Sequence, residues 1–281
     1  MVAETTDIDI RRVKAFWEQN PVAAAAIGDK PGTAEFFRSF DTLREADECE
    51  PYALSDAIHG YSTSKGLKVL DVGCGNGYVL FQYARHGADV AGVDLTRTAI
   101  ELSQKRFALG GLPGEFHEID GNRLPFPDNY FDIACSMGVL HHVTNPQPMV
   151  DEMFRVLKPG GRLIAMLYYR YSWKNLVLLR LRRLFDPRYR GKTQQQALNM
   201  NDGERCPLAR VYSRSEARAL FSRFSDVDFL LTQLSWRQLF LFSPLVKLAE
   251  RYLPPSSKCW PARRLGWNLN IRAVKPAAHE A

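Results

Sequence analysis

The 281-residue sequence has few of the features that mark secreted, metal-dependent or membrane-spanning proteins. Its five cysteines contain no CxxC pair, so their spacing indicates neither a disulfide framework nor a zinc or iron–sulfur site. No uninterrupted apolar run approaches the roughly 20 residues of a membrane span. The N-terminal stretch "MVAETTDIDI" is polar and acidic, where a secretory signal is basic and then apolar. We therefore expect a cytoplasmic protein with reduced thiols and without a bound metal.

Positive and negative charges nearly balance everywhere except in one segment. The net charge is +6, and residues 170–192 alone carry a local balance of +7, from eight basic side chains and one aspartate. The rest of the chain is close to neutral, which argues against a surface built to follow nucleic acid. We interpret this basic segment as a lid or solvated face, with peripheral contact to a membrane surface as the alternative.

Apolar strand-like runs alternate five times with amphipathic stretches between residues 68 and 167. The strands are predicted at "LKVLDV", "ADVAGVDL", "EFHEID", "FDIACSMGVL" and "GRLIAMLYY". Parallel neighbours need crossover connections, and those connections cover the sheet, so this alternation predicts a doubly wound α/β fold. Later runs, "DVDFLLTQL" and "WNLNIRAVK", predict an antiparallel finish. Capping boxes are predicted at Thr98 with Glu101 and at Ser213 with Glu216.

The flanks of this alternating region differ from it in composition. Residues 1–60 are predicted to form a helical N-terminal cap over the ligand edge of the main domain, residues 61–281. Within that domain we expect a lid at 168–212 and a helical insertion at 236–265. The aromatic side chains that suggest the cap are Phe16, Trp17, Phe36, Phe37, Phe40 and Tyr52.

The loop after the first predicted strand, "LDVGCGNGY", is rich in glycine. Gly73, Gly75 and Gly77 allow a tight turn and leave the backbone bare for a close-lying ligand. A dinucleotide site of the GxGxxG type would place its third glycine where Tyr78 stands, so a nicotinamide cofactor is disfavoured. A pyrophosphate beside Asp71 would also suffer repulsion on the order of several kcal/mol.

Acidic residues end three successive predicted strands. Asp71 is the first, Asp94 can accept both hydroxyls of a ribose, and Asp120 could accept the amino group of an adenine. A nucleoside with a positively charged tail and no phosphate suits this set, and S-adenosylmethionine is such a molecule. The rival interpretation is a nucleotide-dependent oxidoreductase on a similar sheet.

Four motifs occur in order along the sequence: "VLDVGCGNG", "GVDLT", "EIDGNRLPFPDNYFDIACSMGVLHHV" and "RVLKPGGRLI". Through them the sequence resembles the class I S-adenosylmethionine-dependent methyltransferases, closest to the small-molecule type 11 group with the quinone and malonyl-carrier enzymes. The resemblance spans residues 68–167. It implies a seven-stranded Rossmann-like sheet whose last strand is antiparallel. The residues that it implies for the cofactor are Asp71, Gly73, Cys74, Gly75, Gly77, Asp94, Leu95, Asp120, Gly121, Asn122, Ser136, Met137 and Gly138.

Methyl transfer mainly requires that the acceptor be aligned and water excluded, while some acceptors must also lose a proton. Candidate bases are His142 and, less favoured, His141, while Arg170 with Tyr169 could clamp an anionic or aromatic small-molecule substrate. An oxygen acceptor, either hydroxyl or carboxylate, is favoured, and methylation at nitrogen, sulfur or carbon of a metabolite or lipid-linked substrate is the alternative. A cofactor-binding module without transfer activity is the remaining alternative. The segment "SMGV" lacks the signature of nucleic-acid amino-methyltransferases, and the oligomeric state is left open.

Overall fold

One twisted sheet, flanked by helices, organises the chain. The structure, a computed structural model, describes residues 9–47, 49–240 and 243–277. Its strands are β1 (Lys68–Val72), β2 (Asp89–Asp94), β3 (Glu115–Glu118), β4 (Phe131–Met137), β5 (Leu157–Tyr169), β6 (Val211–Tyr212), β7 (Ser225–Thr232) and β8 (Asn268–Val274). The order across the sheet is β3-β2-β1-β4-β5-β8-β7, and β6 pairs with β5 beside this path.

The predicted fold class is confirmed, with one added strand. Strands β1 to β6 pair in parallel, whereas β8 runs antiparallel to both β5 and β7. The two-residue β6 was not predicted from the sequence, because so short a stretch carries no periodicity.

Twelve helices of the described part of the chain accompany the sheet. They are α1 (Ile10–Gln19), α2 (Ala34–Glu45), α3 (Tyr52–His59), α4 (Tyr78–Arg85), α5 (Arg97–Gly110), α6 (Gln147–Val156), α7 (Leu179–Phe185), α8 (Gln194–Asn199), α9 (Arg214–Leu220), α10 (Trp236–Leu239), α11 (Ser243–Tyr252) and α12 (Trp260–Leu265). No helix among the described residues is both long and apolar enough to cross a membrane.

Two hydrophobic clusters lie on opposite faces of the sheet, and alternate residues of β1 belong to one or the other. Leu70 and Val72 of β1 belong to one cluster, whereas Val69 belongs to the other, as expected for successive side chains on opposite faces. The second cluster also contains Phe36 and Phe37 of α2. The helices that precede the sheet in sequence therefore share its core.

Helix α1 is held against the start of α5 by a carboxylate. Glu18 accepts hydrogen bonds from the backbone N–H groups of Arg97 and Thr98 at 3.1 and 2.9 Å, where a helix N-terminus favours negative charge.

The predicted capping box of Thr98 with Glu101 is therefore wrong. Thr96 caps α5, because its side chain accepts from Ala99, and Thr98 Oγ1 donates to Glu18 instead. The box of Ser213 with Glu216 is confirmed on α9.

Candidate active site

A cavity of about 1010 Å³ lies at the carboxyl ends of β1, β2 and β4. In an open parallel sheet this is the edge at which ligands bind, next to the point where strand order reverses. Pockets for small molecules commonly measure about 300–1,000 Å³, so this one has room for a nucleoside and a second small molecule. Its lining comes from the glycine loop, α1, the segment after β5 and the loop before β6.

The glycine loop is packed too closely at Gly73 to carry a side chain there. Gly73 has φ +79°, and a Cβ placed on it would lie 2.2 Å from Cγ2 of Val139 in the segment after β4. The N–H groups of Gly73 and Cys74 donate to the carbonyl oxygen of Val93 at 2.7 and 3.1 Å, which ties the loop to β2. Gly75 has φ +57° and lines the cavity.

Asp71 is a buried carboxylate at the cavity wall. Only 2% of the residue is exposed, and its Oδ1 has no hydrogen-bond partner among the described residues. Burial, and then the charge of Asp94, raises the pKa of Asp71 well above its usual value. A cationic ligand that donates hydrogen bonds would satisfy this oxygen and stabilise the ionised form. This acceptor therefore fits the ammonium end of S-adenosylmethionine, which donates hydrogen bonds.

Asp94 is held in a fixed position at the end of β2. Its Oδ2 accepts from the N–H of Gly75 at 3.1 Å, and its Oδ1 accepts from the N–H and the hydroxyl of Thr96, both at 2.9 Å. Burial raises the pKa of Asp94, although these donated hydrogen bonds oppose the shift. Leu95, Ile119 and other apolar side chains line the cavity beside it, as a flat purine base requires.

A second polar group lines the cavity on the side of the predicted lid. Tyr168 donates a 2.6 Å hydrogen bond to Oδ1 of Asp202, whose Oδ2 is buried and has no partner among the described residues. Lys174 Nζ lies 4.7 Å from the centre of the Trp267 ring, and burial lowers the pKa of Lys174 to about 8. The sequence reasoning missed Lys174 and Asp202. The polar stretch "DGERCPLARV" was the available signal for Asp202, and Lys174 stood among many basic residues.

His142 belongs to the same side of the cavity. Its Nδ1 lies 2.7 Å from the carbonyl oxygen of Leu208, which can only accept, so Nδ1 carries the proton. Burial lowers the pKa of His142, and Trp17 of α1 packs edge-on against its ring at 5.0 Å. The fold also brings His142, Asp202 and Cys206 together, with one potential ligand atom from each lying within 4.8 Å of the other two. Cysteine spacing could not indicate this grouping, since it contains a single cysteine and His142 lies far from Asp202 and Cys206 in sequence.

Comparison with known proteins decides the family of this region. Residues 70–165 match the family described as "Methyltransferase domain". This stretch is a class I S-adenosylmethionine-dependent methyltransferase domain. A solved S-adenosylmethionine-dependent methyltransferase from Methanosarcina mazei is similar in fold, with a TM-score of 0.55 and 26% identity over 79% of this chain and 97% of that chain.

Two curated relatives resemble the methyltransferase domain in sequence. The ubiquinone/menaquinone biosynthesis C-methyltransferase of Vibrio campbellii is 35% identical over 106 residues, which cover 36% of this chain and 41% of that protein. The tRNA U34 carboxymethyltransferase of Hydrogenovibrio crunogenus is 42% identical over 108 residues, which cover 37% and 32%. The chain thus spans about two fifths or less of the length of these relatives.

Most of the residues predicted for the site line the cavity of the methyltransferase domain. They are Asp71, Gly73, Cys74, Gly75, Asp94, Leu95, Gly121, Asn122, Met137, Gly138 and His142. Trp17 and Phe40 of the predicted cap also line it, whereas Phe16 and Phe37 do not.

Three residues predicted to contact the cofactor lie behind the cavity surface or beside it. Gly77 precedes α4 as its N-cap residue and has the left-handed conformation, with φ +78°. Ser136 is buried and donates to the carbonyl oxygen of Val72 at 3.1 Å. Asp120 is exposed and accepts from the N–H and the side-chain amide of Asn122, at 2.9 and 3.0 Å. Asp120 thus shapes the turn that presents Gly121 and Asn122.

The other catalytic candidates do not reach the cavity either. The His141 ring is fully buried, with its centre 3.8 Å from that of Tyr168 and 4.3 Å from that of His142. Arg170 forms an ion pair with Glu216 of α9, which occupies the guanidinium expected to clamp a substrate. Tyr169, its neighbour, packs against the core and the Tyr171 ring. Tyr168, rather than Tyr169, is the tyrosine of β5 that lines the cavity.

Proposed function

We propose that this protein transfers a methyl group from S-adenosylmethionine to an oxygen atom of a small-molecule acceptor. The observation that carries the proposal is Asp71, a buried carboxylate with an unsatisfied oxygen beside a glycine loop. Such a group disfavours an anionic diphosphate and favours a ligand with a positive charge. Membership of residues 70–165 in the methyltransferase family supports the same ligand.

When bound, S-adenosylmethionine supplies a methyl group already activated by the sulfonium. In our proposal Asp71 binds the ammonium end, Asp94 accepts hydrogen bonds from the ribose, and Leu95, Ile119 and Asn122 surround the adenine. Gly73 and Gly75 let the backbone of the loop lie close to the ligand, because neither has a side chain that would hold the ligand away. What remains for the protein is to align the acceptor and exclude water.

The acceptor is proposed to bind on the side of the cavity lined by Tyr168, Lys174 and Asp202. Aromatic walls from Trp17 and Trp267 suit an aromatic or otherwise flat acceptor. Lys174, with its pKa lowered to about 8, is neutral in a substantial fraction of molecules near that pH and can take a proton from an acceptor hydroxyl. His142 is the second candidate base, because its protonated Nδ1 leaves Nε2 with a free lone pair.

The Vibrio relative is described as a C-methyltransferase, so transfer to carbon is the alternative within the same enzyme class. An oxygen acceptor is preferred because a hydroxyl needs one base near its proton, which is the chemistry that Lys174 and His142 offer. The relative described by its tRNA substrate matches only the domain that holds the cofactor motifs, so its substrate need not carry over. Location in the cytoplasm remains a prediction.

Isothermal titration calorimetry tests the cofactor assignment. We expect tight binding of S-adenosylhomocysteine and none of NADH, and we expect Asp94→Ala to weaken the former markedly. Binding of NADH without the sulfur nucleoside would instead support the oxidoreductase alternative. Incubation with S-adenosylmethionine labelled in its methyl group and a metabolite extract then identifies the acceptor from the labelled product. Any labelled product would exclude the alternative of a cofactor-binding module that lacks transfer activity.

A further inference from the structure

Helix α11 carries apolar side chains on two sides. Val246 and Ala249 are buried against the protein, as in any amphipathic surface helix. A second stripe, made of Leu245, Leu248 and Tyr252 at i, i+3 and i+7, faces outward with exposures of 48%, 55% and 67%. The outer face of such a helix is ordinarily polar, so this second stripe indicates a surface that meets something apolar.

The exposed apolar surface continues beyond the helix. Leu253 follows α11 directly, and Trp260 at the start of α12 is 66% exposed. We call the five residues of this region the α11–α12 surface: Leu245, Leu248, Tyr252, Leu253 and Trp260. Tryptophan and tyrosine are the side chains that favour the boundary between water and lipid, because their rings are apolar at one end and polar at the other.

The charges that accompany this surface are almost all positive. Five basic side chains occur between residues 243 and 265, namely Lys247, Arg251, Lys258, Arg263 and Arg264. The one acidic residue in that range, Glu250, forms an ion pair with Arg237. Leucine and aromatic side chains flanked by lysine and arginine are the composition of helices that lie in the plane of a membrane interface.

We propose that the α11–α12 surface docks this protein on an anionic lipid bilayer. The leucines and aromatic side chains would enter the boundary between headgroups and acyl chains, and the basic side chains would contact lipid phosphates. A second copy of the chain suits the surface less well. A twofold dimer brings the same patch together from both subunits, so these basic residues would face their own copies.

Docking there would also place the cavity near the lipid. Helix α12 leads through Gly266 to Trp267, which lines the cavity, and Ser256 and Ser257 bind Asp47 in the segment after α2. An apolar acceptor could then pass from the bilayer to the active site. This consequence rests on the proposed function, whereas membrane binding itself does not.

Vesicle co-sedimentation tests the proposal with the full chain. The probes are unilamellar vesicles of phosphatidylcholine alone and of three parts phosphatidylcholine to one part phosphatidylglycerol. We expect binding to the anionic vesicles only, and loss of that binding when sodium chloride rises from about 0.1 to about 1 M, which shortens the Debye length from about 10 to about 3 Å. The double variant Leu248→Ser with Trp260→Ser should bind about tenfold more weakly.

A matched variant controls for the removal of an exposed leucine. Leu109 on α5 is 59% exposed, close to the value for Leu248, and Leu109→Ser should sediment as the parent protein does. Circular dichroism should be unchanged in all variants, which shows that weaker vesicle binding is not caused by misfolding. S-adenosylhomocysteine binding should also be unchanged, which separates membrane docking from the proposed function. Equal binding to neutral vesicles, or full binding by the double variant, would overturn the proposal. So would a salt-resistant dimer that the double variant abolishes, since the surface would then join two copies.

Discussion

The hydroxyl of Tyr168 donates a 2.6 Å hydrogen bond to Oδ1 of Asp202 across 34 positions of sequence. This contact joins β5, which is part of the sheet, to the loop before β6, which belongs to the predicted lid. The second oxygen of Asp202 is buried without a partner among the described residues, and Lys174 lines the same cavity. The contact thus ties a residue of the predicted lid to the sheet and leaves one oxygen of Asp202 for a ligand or a proton.

Lys174 should make the rate of methyl transfer depend on pH. Because burial lowers the pKa of its ammonium group to about 8, the neutral form, which can accept a proton, increases as the pH rises through that value. We expect formation of S-adenosylhomocysteine with a metabolite extract to increase between pH about 7 and about 9 and then level off. Lys174→Met should lower the plateau about 10²- to 10⁴-fold and remove this rise.

The control for that variant is Lys192→Met, an exposed lysine of the basic segment, which should keep both the rate and the pH profile. Binding of S-adenosylhomocysteine should be unchanged in both variants, since Lys174 is assigned to the acceptor. A Lys174→Met protein that is slower but keeps the rise near pH 8 would assign the proton transfer to another group.

The side of the cavity that we propose for the cofactor was predictable, because its residues are placed by local rules. Parallel strands end at one edge of a sheet, so Asp71 and Asp94 had to come close once the strand pattern was read correctly. The glycine spacing independently indicated a bare loop there. Asp120 was placed less well, because β3 ends at Glu118 and the residues beyond it form a turn in which Asp120 binds Asn122.

The side of the cavity that we propose for the acceptor could not be predicted, because it depends on how the predicted lid packs against the sheet. Lys174 lies in a π-helical stretch and Asp202 in a short turn, and neither segment has a strand or helix period that would fix where its side chains point. Arg170 looked available in the sequence, yet the glutamate of the correctly predicted capping box on α9, Glu216, pairs with it. The distant partner of a charged side chain is a tertiary property that sequence spacing does not report.

Asp71→Asn should weaken ligand binding while it stabilises the ligand-free protein. Loss of the charge-assisted hydrogen bond to an ammonium group should weaken S-adenosylhomocysteine binding about ten- to hundredfold by calorimetry. The raised pKa of Asp71 means that the unfolded carboxyl loses its proton at lower pH than the folded one. The free energy of unfolding therefore falls as pH rises above about 4, and the variant removes this loss.

Thermal unfolding of the ligand-free proteins measures the second effect. The melting temperature of Asp71→Asn should exceed that of the parent at neutral pH, and the difference should shrink toward pH about 4. Asp89→Asn, at an exposed position at the start of β2, serves as the control and should leave binding and stability unchanged. Parent-like binding by Asp71→Asn would remove the central support for a cationic ligand.

Gly73→Ala should destabilise the protein more than an alanine at a comparable loop glycine. Both Gly73 and Gly66 have positive φ, +79° and +74°, so both substitutions strain the backbone by about 1 kcal/mol. At Gly73 the new methyl group would collide with Val139, whereas at Gly66 no atom of the described residues lies within 4 Å of the new methyl group. Urea unfolding should show a further loss of about 1–3 kcal/mol for Gly73→Ala. Equal losses would show that the loop can move away from Val139.

His59 should make the stability of the fold depend on pH below neutrality. Its ring is fully buried and stacked on Tyr61 at 4.8 Å, its Nε2 has no hydrogen-bond partner among the described residues, and burial lowers its pKa to about 4. Between pH about 4 and about 6.5 the unfolded chain binds a proton that the folded protein excludes. The free energy of unfolding therefore rises with pH through this window, by up to about 3 kcal/mol from this residue.

His59→Phe keeps an aromatic ring in the stack but cannot bind a proton, so it isolates the contribution of His59. Urea unfolding at pH about 5 and about 7.5 should show a smaller difference between the two values for this variant than for the parent protein. Some difference should persist, because burial also lowers the pKa of His141 and His142. His117→Gln, at a ring that is 40% exposed on β3, should behave as the parent does. If His59→Phe keeps the full pH dependence, the dependence arises from His141 and His142 and not from His59. Acid should then disrupt the proposed acceptor side of the cavity before the core around His59.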